Sequence, residues 1–330
     1  LKTELIIDGL NTFIRHFSTN PLMSLYNQPC GAIAGTIGTI YRGVEKYKPD
    51  VVTVVWEGGG SSRRRAIYPE YKQGRRPLNL NRNYNEYMED VNEKDNWEWQ
   101  LRTLIKILPM MKIGQVYVED AEADDGIAYM CKWKNKEDAK IIVSTDHDYF
   151  QLVNDKTMIW APRKRLDLYK LNDVIEEFKV HPNNMATVRS FIGDKSDNIQ
   201  GVGGVQYKKM TRYCPDFINE KFISVDETIE IIKEHYASPI KFYTYAKRHA
   251  KVLDIINYDI NLIKRNFQLI NLESPQLSAS QIDSLNYQHD QPRRMAPKLE
   301  LMKFMMDQGI NNISIDQTGI MFNNTLMTIK

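Results

Sequence analysis

Five carboxylates fall within the seven residues Glu119-Asp-Ala-Glu-Ala-Asp-Asp125, directly after the β-branched run Val116-Tyr-Val118. Two like unit charges about 4 Å apart repel by roughly 4 kcal/mol near a protein surface. Such side chains either fan out into water or gather around cations. Other acids occupy comparable positions. Asp8 follows Leu5-Ile-Ile, Glu57 follows Val51-Val-Thr-Val-Val-Trp56, and Asp146 and Asp148 follow Ile141-Ile-Val143. Oxygen donors of this kind select Mg²⁺, Mn²⁺ or Ca²⁺ over zinc. Two such ions about 4 Å apart activate a water and stabilise a leaving oxygen in phosphodiester cleavage. Taken singly, each acid has an ordinary reading. Asp146 and Asp148 could cap a helix, Asp194 and Asp197 could shape a turn, and Asp8 before Gly9 could end a strand.

The elements that must position these acids are short. Leu5–Asp8, Val51–Trp56, Val116–Val118 and Ile141–Val143 read as buried strands. Helical patterns lie between them, at residues 31–47, 97–111 and 121–134, with another helix opening at Tyr149. Strands alternating with helices predict an α/β fold with a mostly parallel central sheet covered by helices. In such sheets ligands sit beyond the carboxyl ends of the strands, and the acids lie just past those ends. Residues 61–100 form a polar insertion, and one of this length inside a compact domain is usually either functional or disordered. Helical patterns follow at 171–191, 226–235, 240–256 and 297–308, with loops at 274–281 and 291–294. The expected division is a metal-binding α/β core over 1–170 and a mostly helical subdomain over 171–330.

Charge is unevenly distributed along the chain. The formal net charge is only +2. Residues 61–76 nonetheless carry Arg63, Arg64, Arg65, Lys72, Arg75 and Arg76 against the single acid Glu70. A basic segment together with an acidic cluster suits a metal-dependent enzyme acting on a polyanion. Gly193-Asp-Lys-Ser-Asp-Asn-Ile-Gln-Gly-Val-Gly-Gly-Val205 is a glycine-rich loop whose backbone N–H groups could line an anion site. Lys208, Lys209 and Arg212 follow it, so a phosphate backbone read without base specificity is a fitting ligand. Cys30, Cys131 and Cys214 are too few and too scattered for a disulfide framework. No apolar run reaches the roughly 18 residues of a membrane span, and no secretory leader pattern opens the chain. The expected location is cytoplasmic.

Glu122-Ala-Asp-Asp125, Ser144-Thr-Asp-His-Asp148, Gly193-Asp-Lys-Ser-Asp-Asn198 and Gly201-Val-Gly-Gly-Val205 occur in that order. Together they resemble the structure-specific 5′-nuclease (flap endonuclease) superfamily, and most closely the phage flap endonucleases and ribonucleases H of the T-even type. The resemblance covers roughly residues 4–260. It implies a PIN-like core, a helical arch within the insertion and a helix-hairpin-helix element near 193–213. It also implies Mg²⁺-dependent cleavage near the 5′ ends of flapped, nicked or RNA-primed DNA in phage replication, with Mn²⁺ able to substitute. Asp8, Glu57, Glu122 and Asp124 resemble first-metal ligands, with Asp125 in the same motif. Asp146, Asp148, Asp194 and Asp197 resemble the second-metal set.

Tyr71-Lys72-Gln-Gly-Arg75 resembles the base of the arch, where Lys72 and Arg75 would contact the scissile phosphate. Arg63, Arg64, Arg65 and Arg76, together with Gly201, Gly203, Gly204, Lys208, Lys209 and Arg212, would contact DNA, with a K⁺ at the hairpin. The implied partners are branched or nicked DNA and RNA–DNA hybrids, with a single-strand-binding protein or sliding clamp. Two positions depart from the family pattern. Glu57 stands where Asp is usual, which favours binding through water. Gln206 stands where Gly is usual, which weighs against K⁺. The competing readings are a PIN-type single-strand ribonuclease and a non-catalytic binder of branched DNA.

Overall fold

A computed structural model describes residues 1–74, 79–81, 91–162, 167–237 and 259–310. The chain forms two compact units, each discontinuous in sequence. The first comprises Leu1–Gly60, Pro77–Thr145 and Leu277–Lys330, and the second Ser61–Arg76 and Asp146–Gln276. The sequence expectation instead placed one cut after residue 170. Among the described residues no helix is long and apolar enough to cross a membrane.

The first unit is built on four parallel strands, β1 (Thr3–Asp8), β2 (Val51–Trp56), β3 (Gly114–Tyr117) and β4 (Ala139–Val143). They lie in the order β3-β2-β1-β4, with Ile7 opposite both Val54 and Val143. Leu5, Ile6, Ile7, Val52, Val54, Ile142 and Val143 are buried. Runs this apolar belong to strands covered on both faces. The covering helices are α1 (Gly9–Thr19), α2 (Gly31–Tyr47), α4 (Glu93–Met110) and α5 (Ala123–Lys132). The expected boundaries of α2 and β2 match those observed. Helix α1 is an addition. Asp8 caps it, and Thr12, Phe13, His16 and Phe17 form its buried stripe. Helix α4 begins earlier than expected because Asn92 caps it, accepting from the backbone N–H groups of Lys94 and Asp95.

The C-terminal part of this unit corrects the expected division. Helices α11 (Ala279–His289) and α12 (Lys298–Asp307) belong with the sheet. The Gln288 side chain accepts from the Tyr117 N–H at 2.9 Å and donates to the Tyr117 carbonyl at 2.7 Å. It thereby pairs the exposed edge of β3 as a neighbouring strand would. Beneath it, Glu4 accepts from Thr53 Oγ1, Lys140 Nζ and His289 Nε2, all within 2.8 Å.

The second unit contains α3 (Ser62–Ile67), a 3₁₀ turn at Asp148–Leu152, and the antiparallel pair β5 (Thr157–Trp160) and β6 (Leu168–Tyr169). Then come α6 (Leu171–Phe178), α7 (Pro182–Ile192), α8 (Tyr207–Tyr213), α9 (Val225–Ala237) and α10 (Ile260–Ile270). The helix expected from Tyr149 is thus a single 3₁₀ turn. The helix expected over 171–191 is two, broken where Lys179 turns left-handed at φ 57° and Pro182 restarts the chain. The expected helix over 240–256 lies outside the described residues.

Candidate active site

In the first unit the parallel strands end on one edge, and that edge carries Asp8, Glu57 and the loop leading to Glu122. Asp8 is held from two sides. Its Oδ1 accepts from the Asn11 N–H at 3.1 Å and its Oδ2 from Ser144 Oγ at 3.1 Å. Asn11 in turn accepts from Thr145 Oγ1 at 3.1 Å, which ties the ends of β1 and β4 together. Glu57 is brought to the Glu122 loop by its neighbour Gly58. The Gly58 N–H donates to Ala121 and its carbonyl accepts from Asp120, both at 2.9 Å. A Cβ at Gly58 would stand 1.7 Å from the Val118 carbonyl oxygen, so the close approach requires glycine.

Glu122 and Asp125 are buried, Asp125 completely, while Asp124 is half-buried at the start of α5. Carboxylates buried this deeply need compensating charge. Glu119 and Asp120 are loop residues whose carbonyls accept from Gln281 Nε2.

In the second unit the structure brings Asp146, Asp148, Asp194 and Asp197 together, with Arg189 against Asp148 and Asp194 and Lys72 near Asp197. The Asp148 N–H donates to Asp146 Oδ1 at 2.9 Å. Arg189, on the last turn of α7, places Nε 2.6 Å from Asp148 Oδ1 and Nη2 2.8 Å from Asp194 Oδ2. Asp194 also accepts from the Ser196 N–H and Oγ. Tyr71 is buried and donates to Asp197 Oδ2 at 3.2 Å. Lys72 donates its N–H to the Asp197 carbonyl at 2.9 Å and holds Nζ 3.9 Å from Asp197 Oδ2. The same turn is clamped by Asn198, which donates to the Glu70 carbonyl at 2.9 Å. His147 packs its ring against Phe150 and Phe178.

The crowding has an electrostatic consequence. Burial pushes the Asp148 carboxyl up, Arg189 pulls it down, and Asp146, Asp194 and Asp197 push it up again, to about 7. Burial also raises Asp194, but Ser196 and Arg189 more than offset it and hold its carboxyl below the usual range. Burial alone would lower Arg189, yet Asp148 beside it keeps the guanidinium above its ordinary value. Asp148 Oδ1 is buried and pairs with Arg189 Nε at 2.6 Å outside hydrogen-bond alignment. A crowded set of oxygen donors with such an atom fits a hard divalent cation. Among the described residues, no three Asp, Glu, His or Cys side chains meet at direct metal-ligand spacing. Mg²⁺ retains several waters and does not require such a cage.

The basic residues separate. Arg63 and Arg65 are exposed on α3, but Arg64 is 1% exposed and donates Nε to the Leu269 carbonyl at 3.0 Å. Its expected DNA contact is therefore corrected to an internal tie. Consecutive helical residues point about 100° apart, so three adjacent arginines cannot share one face. Arg75 and Arg76 lie outside the described residues, as does much of the expected arch. Gly203, Gly204, Lys208 and Arg212 are exposed, and Lys209 is half-buried. Gly201 packs inward, where a Cβ would stand 1.9 Å from the Ile192 carbonyl oxygen. Sequence reasoning missed Arg189, Ser144 and Ser196. Arg189 alone left a signal, as a single cation in the otherwise uncharged α7 just before Gly193-Asp194.

The family model described as the 5′-3′ exonuclease N-terminal resolvase-like domain matches residues 3–179. DNA polymerase I of Caldicellulosiruptor bescii is 26% identical over 266 residues, 78% of this chain and 30% of that protein. A 5′-3′ exonuclease of Aquifex aeolicus is 28% identical over 207 residues, 62% of this chain and 66% of its own length. The chain thus spans less than two thirds of these relatives. The fold is shared with the bacteriophage T5 D15 protein co-crystallised with metal ions, at TM-score 0.62 and 21% identity over 93% of this chain and 98% of that one. It is also shared with flap endonuclease-1 from Methanococcus jannaschii, at TM-score 0.54 and 14% identity over 99% and 92%.

Proposed function

Because the chain belongs to the 5′-3′ exonuclease family through its N-terminal resolvase-like domain, we propose that it is a divalent-metal-dependent 5′-nuclease. It hydrolyses phosphodiester bonds near the 5′ ends of flapped, nicked or RNA-primed DNA. Primer removal in phage replication is the matching role. The observation that carries this reading is the gathering of Asp146, Asp148, Asp194 and Asp197 in one place in the second unit, with Asp148 and Asp197 buried. Arg189 and Lys72 offset part of this charge, and oxygen donors crowded in this way select a hard divalent cation.

Asp146, Asp148, Asp194 and Asp197 would hold one Mg²⁺ and Asp8, Glu57, Glu122 and Asp124 another, with Asp125 supporting α5. When bound, such ions lower the pKa of a water and neutralise a departing oxygen. The protein's own groups do the rest. Tyr71 orients Asp197 through its hydroxyl. Lys72, with Arg75, offers positive charge to the phosphate where negative charge develops. Arg63, Arg65, Lys208, Lys209 and Arg212, with Arg76 and the backbone at Gly203 and Gly204, would contact DNA phosphates irrespective of sequence. The loop before α8 is the proposed K⁺ site. A single-strand-binding protein or sliding clamp is the proposed protein partner.

The test uses end-labelled flap, nicked and RNA–DNA substrates with Mg²⁺ or EDTA. Cleavage requires Mg²⁺, and Asp146→Ala abolishes it while flap affinity measured in Ca²⁺ persists. Wild-type rates in EDTA, or in Asp146→Ala, overturn the reading. Binding of flaps by the wild type without cleavage would instead mark a branched-DNA binder.

A further inference from the structure

Resting on the metal-dependent reading above, we propose that Arg189 is a built-in cation of the second unit's acid cluster. It is a positioning residue that holds Asp148 and Asp194 and weakens the cluster's hold on a divalent ion. Its guanidinium reaches both carboxylates at once, at 2.6 Å and 2.8 Å. The side chain is buried beside Tyr207, whose ring packs on Phe178. A guanidinium keeps its proton at any working pH, so this charge can neither titrate away nor diffuse out.

The position of this charge gives the consequence. Arg189 therefore does two opposing things. It keeps Asp148 and Asp194 in a fixed arrangement before any metal arrives, and it repels the metal that does arrive. A cation within several ångströms of a divalent ion weakens its binding by more than tenfold at the dielectric of a protein surface. A residue with a merely structural role would do only the first.

The two roles separate on Arg189→Gln. The probe is Mn²⁺ alone, counted by electron paramagnetic resonance at pH 8 on the full chain without DNA. Both proteins carry Asp124→Asn, which removes one of the four acids assigned to the first unit's ion and weakens binding there. The expected result is one bound Mn²⁺ with Arg189 present and binding at least about tenfold tighter in Arg189→Gln. Single-turnover cleavage, measured without Asp124→Asn, falls. Equal or weaker Mn²⁺ binding in Arg189→Gln overturns the assignment of Arg189. Absence of binding in both proteins overturns the metal reading with it. Should Arg189→Gln fail to fold by circular dichroism, the wild type decides. Its Arg189 Nε–H resonance, assigned through Arg189→Lys, shifts on adding Ca²⁺, and a resonance that stays in place overturns the proposal.

Discussion

Lys72 is the residue where backbone geometry and the proposed chemistry meet most closely. It sits at φ 58°, a left-handed conformation that costs a non-glycine residue roughly 1–2 kcal/mol. The Asp197 carbonyl holds it there by accepting its N–H, and the Tyr71 ring lies 5.1 Å from Nζ. Lys72→Ala is expected to slow single-turnover cleavage by about 100-fold, the order seen when one stabilising donor is removed, with flap affinity little changed. Unchanged single-turnover rates would remove Lys72 from the chemistry. Tyr71→Phe tests the neighbouring contact. It loses one hydrogen bond, about 1 kcal/mol, and is expected to lower the cleavage rate less than Lys72→Ala.

At the scale of an element, α3 shows how one short helix divides a run of like residues between two jobs. Ser61 caps it by accepting from the Arg64 N–H at 3.2 Å. The cap sets the rotation that turns Arg64 inward to the Leu269 carbonyl and leaves Arg63 and Arg65 outside. The following residues extend the anchorage. Tyr68 stacks under Arg265, 4.0 Å away, and Tyr71 packs with Ile199, Leu269 and Ile270. Arg64→Ala is expected to cost about 1–3 kcal/mol by urea denaturation, because it leaves a buried carbonyl without its donor. Its DNA affinity should match wild type. Arg63→Ala and Arg65→Ala should do the reverse, weakening flap binding and reducing the salt dependence by about one ion each. A stable Arg64→Ala protein with lost DNA affinity would restore the arginine to the DNA surface.

For the molecule as a whole, Glu4 binds segments distant in sequence. Burial raises its carboxyl, but His289 and Lys140 outweigh burial and bring it down to about 2 from the ordinary 4.5. A depressed acid stabilises the fold above its unfolded pKa, and that contribution disappears as pH falls from about 4.5 through about 2. Acid unfolding of Glu4→Gln should therefore show a flatter slope in this window than wild type. Glu4→Ala should cost about 3–5 kcal/mol at neutral pH, since it leaves the buried Lys140 charge without its carboxylate. Equal denaturation midpoints for wild type and Glu4→Ala would sink this account.

The sequence by itself determined the four strands of the first unit, the ends of α2, the family motifs and the acids placed after those strand ends, while β5 and β6 went unanticipated. Apolar runs, a period near 3.6 and residue order are local properties that survive in one dimension. Only the tertiary structure decided that α11 and α12 join the sheet, since Gln288 pairing with Tyr117 and His289 with Glu4 leave no local trace. The same holds for the inward turn of Arg64 and for Arg189 between Asp148 and Asp194. A charged side chain reads identically in sequence whether water or a buried partner neutralises it, and burial is a property of the assembled fold.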